Sequence, residues 1–218
     1  MISSTVENYL KELFLLDYQG LQQIATGVIA KSLNVTPGSA TSMIKTLAES
    51  GLVEHKPHYG VKLTDRGRCL AIRVVRRHRI VEMFLVQILG MDWCDVHDEA
   101  EKLEHVVSDE IISRMDKILG HPNFDPHGDP IPTADGTIPS RTLQVLSHCN
   151  SGDVVTIARI NDQNASFLKF AEENGLTLGT KIEISRKSEI AESITILSEK
   201  KAVVLGLSAA NRIEVEHA

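Results

Sequence analysis

Aromatic residues make up only 4% of the 218 positions, so any core this chain builds must be packed from aliphatic side chains. Cysteine is scarce as well. Cys69, Cys94 and Cys149 lie far apart and form no CxxC pair, which excludes a disulfide framework or a cysteine zinc site as the organising feature. No apolar run approaches the ~20 residues needed to cross a bilayer. The opening segment, MISSTVENYLKELF, lacks the basic-then-apolar layout of a signal peptide. These absences set the expectation of a cytoplasmic protein with no membrane partner.

What is present is ordinary in amount and uneven in placement. Hydrophobic content of 42% and charged content of 24% suit a globular protein, long enough for one large domain or two to three small ones. The net charge is −6, yet residues 36–79 carry nine Lys or Arg against three acids. A basic segment in an acidic chain fits a nucleic-acid footprint, because phosphate binding follows the local field. A solvated basic face would look the same by charge alone, so the order of elements has to decide.

That order is informative. TVENYLKELFLLD places Val6, Leu10, Leu13, Phe14 and Leu16 at helical spacing. GLQQIATGVIAKSLNV reads as a second, short helix. In TPGSATSMIKTLAESGLV, Thr36 can cap, Pro37 suits a first turn, Ala40, Ile44 and Leu47 form a stripe, and Gly51 supplies the stop. LVEHKPHYGVKLTDRGR then reads as two strands around a turn near His58 to Gly60. Three helices and a hairpin form the winged helix-turn-helix plan, in which the third helix reads DNA. Its exposed face would carry Thr36, Pro37, Ser39, Thr41, Ser42 and Lys45, with Lys56 and Lys62 on the wing for backbone phosphates.

Residues 67–90 read as one long helix with apolar Leu70, Val74, Val81, Leu85 and Ile88. A second helix is expected from about Trp93 or Val96 to Leu119. Both carry more apolar surface than an exposed pair can hide, which implies a homodimer and, with it, a palindromic double-stranded DNA operator. The Pro- and Gly-rich stretch 121–142 is irregular. From Gly152 short alternating strands with tight turns suggest a small SH3-like β-barrel. The expected architecture is therefore α+β and multi-domain: a winged helix-turn-helix over 1–66, a helical dimerisation and metal-binding domain over 67–140, a linker at 141–151 and the barrel over 152–218.

Within the second helix, VHDEAEKLEHVVSDE gathers six acids and two histidines around one lysine. On a continuous helix His97, Glu101, Glu104 and His105 share about a quarter of the circumference, while Asp98, Glu99 and Lys102 turn to solvent. His78 and Glu82, four apart, share a face of the preceding helix. Such carboxylates repel one another unless a cation sits among them. Imidazole plus carboxylate without thiolate suits Mn(II) or Fe(II), and also accepts Co(II), Ni(II) or Zn(II).

RRHRIVEMFL, VHDEAEKLEHVVSDE and DPHGDPIP together resemble the diphtheria-toxin-repressor family of metal-dependent transcription regulators, most closely its manganese-responsive members with a C-terminal barrel. The resemblance runs along essentially the whole chain. It implies a homodimeric repressor of metal-uptake genes, activated by a divalent cation that bridges the first helix to the dimer core. Carried over, a primary site would use Asn8, Glu101, Glu104 and His105. A second would draw on Glu82, on His78 or His97, and on Asp125 and His127, closed by Asp162 from the barrel.

Iron-type relatives place cysteine where Glu101 stands and methionine where Asn8 stands, which tilts this chain towards manganese. Asn8 itself departs from the aspartate usual in manganese-type relatives. Gln163 and Ser166 stand where iron-type relatives carry their barrel ligands. The rival readings are an iron-responsive repressor of the same family, a metal-independent winged-helix regulator and, from another class, a di-metal enzyme with helical His/Glu pairs.

Overall fold

The computed structural model describes residues 2–21, 23–57, 59–198 and 201–217. Helix α1 runs Ser4–Tyr18, α2 Thr26–Ser32 and α3 Pro37–Glu49, followed by the antiparallel strands β1 Val53–Lys56 and β2 Gly60–Leu63. The hairpin turn residue His58 lies outside the described residues. Ser3 and Thr36 cap α1 and α3, each accepting a backbone N–H three residues on, and Pro37 opens α3. Tyr9, Leu10, Leu13 and Phe14 of α1, Ile29 of α2, and Ile44 and Leu47 of α3 are among the buried apolar residues of these helices.

Helix α4 spans Asp65–Gln87. The Thr64 hydroxyl accepts from Gly67 N at 3.1 Å and donates to Gly51 O at 2.9 Å, which ties the start of α4 to the segment preceding the wing. A Cβ at position 67 would stand 2.0 Å from Leu52 O, so only glycine permits this approach. Val74, Val81 and Leu85 are buried on α4 and Leu70 half-buried, whereas Ile88 is exposed beyond its end.

The expected second helix is two: α5 Val96–Leu103 and α6 Asp109–Ile118, separated by residues 104–108. At the break the N–H groups of Val106 and Val107 both turn to Leu103 O. Two β-branched valines followed by Ser-Asp-Glu, a helix-start sequence, favour an interruption there. Glu104 and His105 fall in the turn just beyond the end of α5.

The C-terminal sheet has strands β3 Gln144–Val145, β4 Val154–Ile160, β5 Lys181–Ser188, β6 Ser193–Ser198, β7 Ala202–Gly206 and β8 Ile213–His217, in the order β3-β8-β4-β5-β6-β7. All pairings are antiparallel. Helix α7 (Ala165–Glu173) and the short α8 (Leu207–Ala210) cover its core of Ile157, Ile160, Leu168, Ile182, Ile184, Ile194, Ile196 and Val215. Strand β3 lies inside the segment expected to be linker and pairs with β8. The chain divides into two compact units: residues 1–78 with 102–109 and 132–137, and residues 79–101 with 110–131 and 138–218. No helix among the described residues is long and apolar enough to cross a membrane.

Candidate metal centre

In the first unit Glu104, just beyond the end of α5, is fully buried. Lys11 Nζ donates to both of its oxygens, at 2.7 and 2.9 Å, and His78 Nδ1 lies 2.5 Å from Oε2. Desolvation pushes the Glu104 carboxyl up, but the His78 hydrogen bond and the charges of Lys11 and His78 outweigh it and hold the group below its usual range. Glu104 is therefore an ionised, buried carboxylate.

His105 joins it through α1. Its Nδ1 lies 2.6 Å from Glu7 Oε2 and donates to it, while Nε2 lies 3.2 Å from Glu104 Oε1. Neither His105 Nε2 nor the buried Asn8 Oδ1 has a hydrogen-bond partner among the described residues. Arg77 steadies Glu7 at 3.3 Å and Asp109 at 2.9 Å. The Arg77 hydrogen bond, opposed by some desolvation and aided by the Arg77 and Arg73 charges, holds the Asp109 carboxyl below its usual range.

A second cluster lies wholly within the other unit. Glu82, Asp125 and His127 are all buried, and a ligand atom from each lies within 4.8 Å of the others. The Asp125-Pro-His-Gly-Asp129 loop is clinched by Asp125 Oδ1, which accepts from the N–H groups of His127 and Asp129, both at 2.9 Å. Gly128 adopts φ +90°, and a Cβ there would stand 2.2 Å from Ala158 O.

His127 Nε2 donates to Trp93 O at 2.9 Å, because a carbonyl can only accept. That fixes the tautomer and leaves Nδ1 as the lone-pair nitrogen, 3.9 Å from Glu82 Oε2. His127 Nδ1 and Asp125 Oδ2 have no hydrogen-bond partner among the described residues. Burial first, then the charges of Asp129 and Glu82, push the Asp125 carboxyl well above its usual range despite Arg79. His97 Nδ1 stands 3.2 Å from Glu82 Oε1, and its Nε2 3.8 Å from Glu101.

Several expected placements change. His78 keeps company with Glu104, and His97 with Glu82. Glu101 pairs with His97, whose Nε2 lies 3.8 Å from its carboxylate. Asp162, expected to close the second site, is held instead by Arg212 at 2.5 Å and accepts from Asn164 N. The barrel meets the linker loop through Asp129, which receives Gln163 Nε2 at 3.1 Å and Arg159 at 2.7 Å.

Sequence reasoning also missed Glu7 and Lys11. Lys11 sits within the apolar stripe of α1, and a lysine at a stripe position was the available signal. A third grouping, Asp92, Cys94 and Glu172, offers poor ligation. Burial, then Asp92, pushes the Cys94 thiol up to about 12, so no thiolate is presented.

On the reading helix Thr36, Pro37, Ser39, Ser42 and Lys45 are exposed, as are Lys56 and Lys62 on the hairpin. Thr41, expected on the exposed face, is half-buried and its hydroxyl donates to Pro37 O at 2.8 Å, satisfying the first turn.

Comparisons with known proteins agree along the chain. Residues 1–61 match the iron dependent repressor N-terminal DNA binding domain, 64–133 the iron dependent repressor metal binding and dimerisation domain, and 144–217 the FeoA domain. An uncharacterised HTH-type transcriptional regulator of Methanocaldococcus jannaschii is 37% identical over 114 residues, covering 52% of this chain and 91% of the relative. The iron-dependent repressor IdeR of Mycobacterium tuberculosis is 34% identical over 128 residues, covering 59% of this chain and 55% of the relative. The solved structure of a manganese-dependent transcriptional repressor in complex with manganese superposes with a TM-score of 0.90 at 39% identity, covering 98% of this chain and all of that one.

Proposed function

Since the chain belongs to the diphtheria-toxin-repressor family of metal-dependent transcriptional repressors, we propose that its physiological signal is Mn(II) and that it represses metal-uptake genes from a palindromic operator in the cytoplasm. The observation that carries the metal reading is the buried Glu82–Asp125–His127 trio. Its donor atoms lie within 4.8 Å of one another, and the tautomer of His127 aims a lone pair into the group. The donors are oxygen and imidazole nitrogen without thiolate, which suits Mn(II) and disfavours softer selection.

The two clusters have distinct roles in this reading. Glu104, His105, His78 and the Asn8 amide oxygen form the primary site; Glu82, Asp125, His127 and His97 form the secondary one. A bound divalent ion would supply positive charge that the carboxylates otherwise lack. The chain's own residues do the rest. Glu7 with His105, and Lys11 with Glu104, join α1 to the residues at the helix break, and Arg79, at 3.6 Å, positions Asp125. Holding α1 in one arrangement shifts the population towards the form whose reading helices match the operator. Exposed Ile88, Leu89, Ile111 and Ile118 supply apolar surface for the dimer.

The test is an operator-binding titration at fixed salt with metal-free protein and with Mn(II), anaerobic Fe(II) or Zn(II). Tightest binding with Mn(II), lost in Glu104→Ala with His105→Ala, is the expected result. Equal affinity with chelator and with Mn(II) would instead favour a metal-independent regulator.

A further inference from the structure

The primary cluster already contains a cation. Lys11 is buried on α1, and its ammonium bridges both oxygens of the fully buried Glu104 at 2.7 and 2.9 Å. His78 on Oε2 and His105 beside Oε1 crowd the same carboxylate, so the ammonium occupies the approach to both oxygens while it stays. Asn8, three residues earlier on the same helical face, keeps its buried Oδ1 without a hydrogen-bond partner among the described residues.

We propose that Lys11 is the resident cation of the primary site and that a divalent ion binds there by displacing its ammonium from Glu104. The inference rests on the metal reading above and goes beyond it. Affinity at the primary site is then an exchange constant and not a filling constant. The ammonium keeps a buried carboxylate compensated, so the metal-free site is preformed instead of torn open by repulsion. It also raises the metal concentration at which the site fills. A lysine suits the task, since its point charge sits on a flexible four-carbon stem that can swing out without moving the helix.

The test titrates Mn(II) into the full-length protein, following free Mn(II) by electron paramagnetic resonance, for wild type, Lys11→Met, Lys11→Gln and Glu104→Gln. Removing the ammonium is expected to tighten the primary site by about tenfold or more. It should also lower the melting temperature of the metal-free protein while leaving the Mn-saturated one close to wild type. Lys11→Met that folds only with Mn(II) supports the exchange, because the metal then does what the ammonium did. Unchanged or weaker Mn(II) binding in both Lys11 variants, with one equivalent lost in Glu104→Gln, overturns the displacement while sparing the site. Wild-type Mn(II) binding by Glu104→Gln overturns the site assignment, and the displacement falls with it.

Discussion

The Glu7 carboxylate accepts the Nδ1 proton of His105 across 2.6 Å and over 98 residues of sequence. This carboxylate sets the tautomer of an imidazole whose other nitrogen faces Glu104, the arrangement that orients histidine ligands in metal sites. It also brings to α1 the negative charge that Asn8 lacks. Glu7→Ala should weaken Mn(II) binding at the primary site by about 10–100-fold, with partial recovery in Glu7→Gln. Operator affinity at saturating Mn(II) should be nearly unchanged. A Mn(II) titration that does not move would show that His105 is held by other means.

His127→Ala should remove the secondary site while leaving the primary one. The expected readout is a fall in bound Mn(II) from two equivalents per chain to one, measured by elemental analysis after equilibrium dialysis. Retention of both equivalents would mean that the Asp125–His127 loop serves packing alone.

The reading helix should be separable from the metal sites. Lys45→Ala should weaken operator binding and reduce the slope of log affinity against log salt by about 0.9, the value for one phosphate contact. Ser42→Ala should weaken operator binding with little change in that slope. Neither variant should alter the Mn(II) titration, and loss of metal binding in either would tie the two functions into one cooperative unit.

Much of this was legible in the sequence because it depends on local chemistry. Thr36-Pro37 writes the start of α3, aliphatic spacing writes α1 and α4, and alternation writes the barrel strands. The site was harder to read because its partners are remote and its backbone is irregular. A helical wheel drawn through 96–110 assumes an unbroken helix, whereas α5 ends at Leu103 and α6 begins at Asp109. The pairing of Glu7 with His105 and of Lys11 with Glu104 depends on tertiary packing that no local spacing encodes. Strand β3 is two residues long and gains its partner only from β8 at the far end of the chain.

Asp109, held below its usual range by Arg77, makes stability depend on pH in a defined direction. The depressed carboxyl stabilises the fold above the ordinary aspartate value near 3.8, and this contribution is lost as pH falls through the lower folded value. Because the side chain is largely exposed, Asp109→Asn should cost about 0.2–1 kcal/mol at pH 7. Denaturant melts of the variant and wild type should converge in strong acid. A difference that stays constant with pH would assign the effect to packing.

Helix α4 starts against the wing, where Gly67 lets it abut the Leu52 carbonyl, and reaches His78 without interruption. Thirteen residues separate Asp65 from His78, a rod of ~20 Å at 1.5 Å per residue, so a tilt of about 5° at one end displaces the other by ~2 Å. Hydrogen bonds to base edges tolerate only about half an ångström of such travel. If an ion is held at the primary site as proposed, its occupancy would act through a lever: ligand distances set on the scale of a bond would reach the wing as a change of aim.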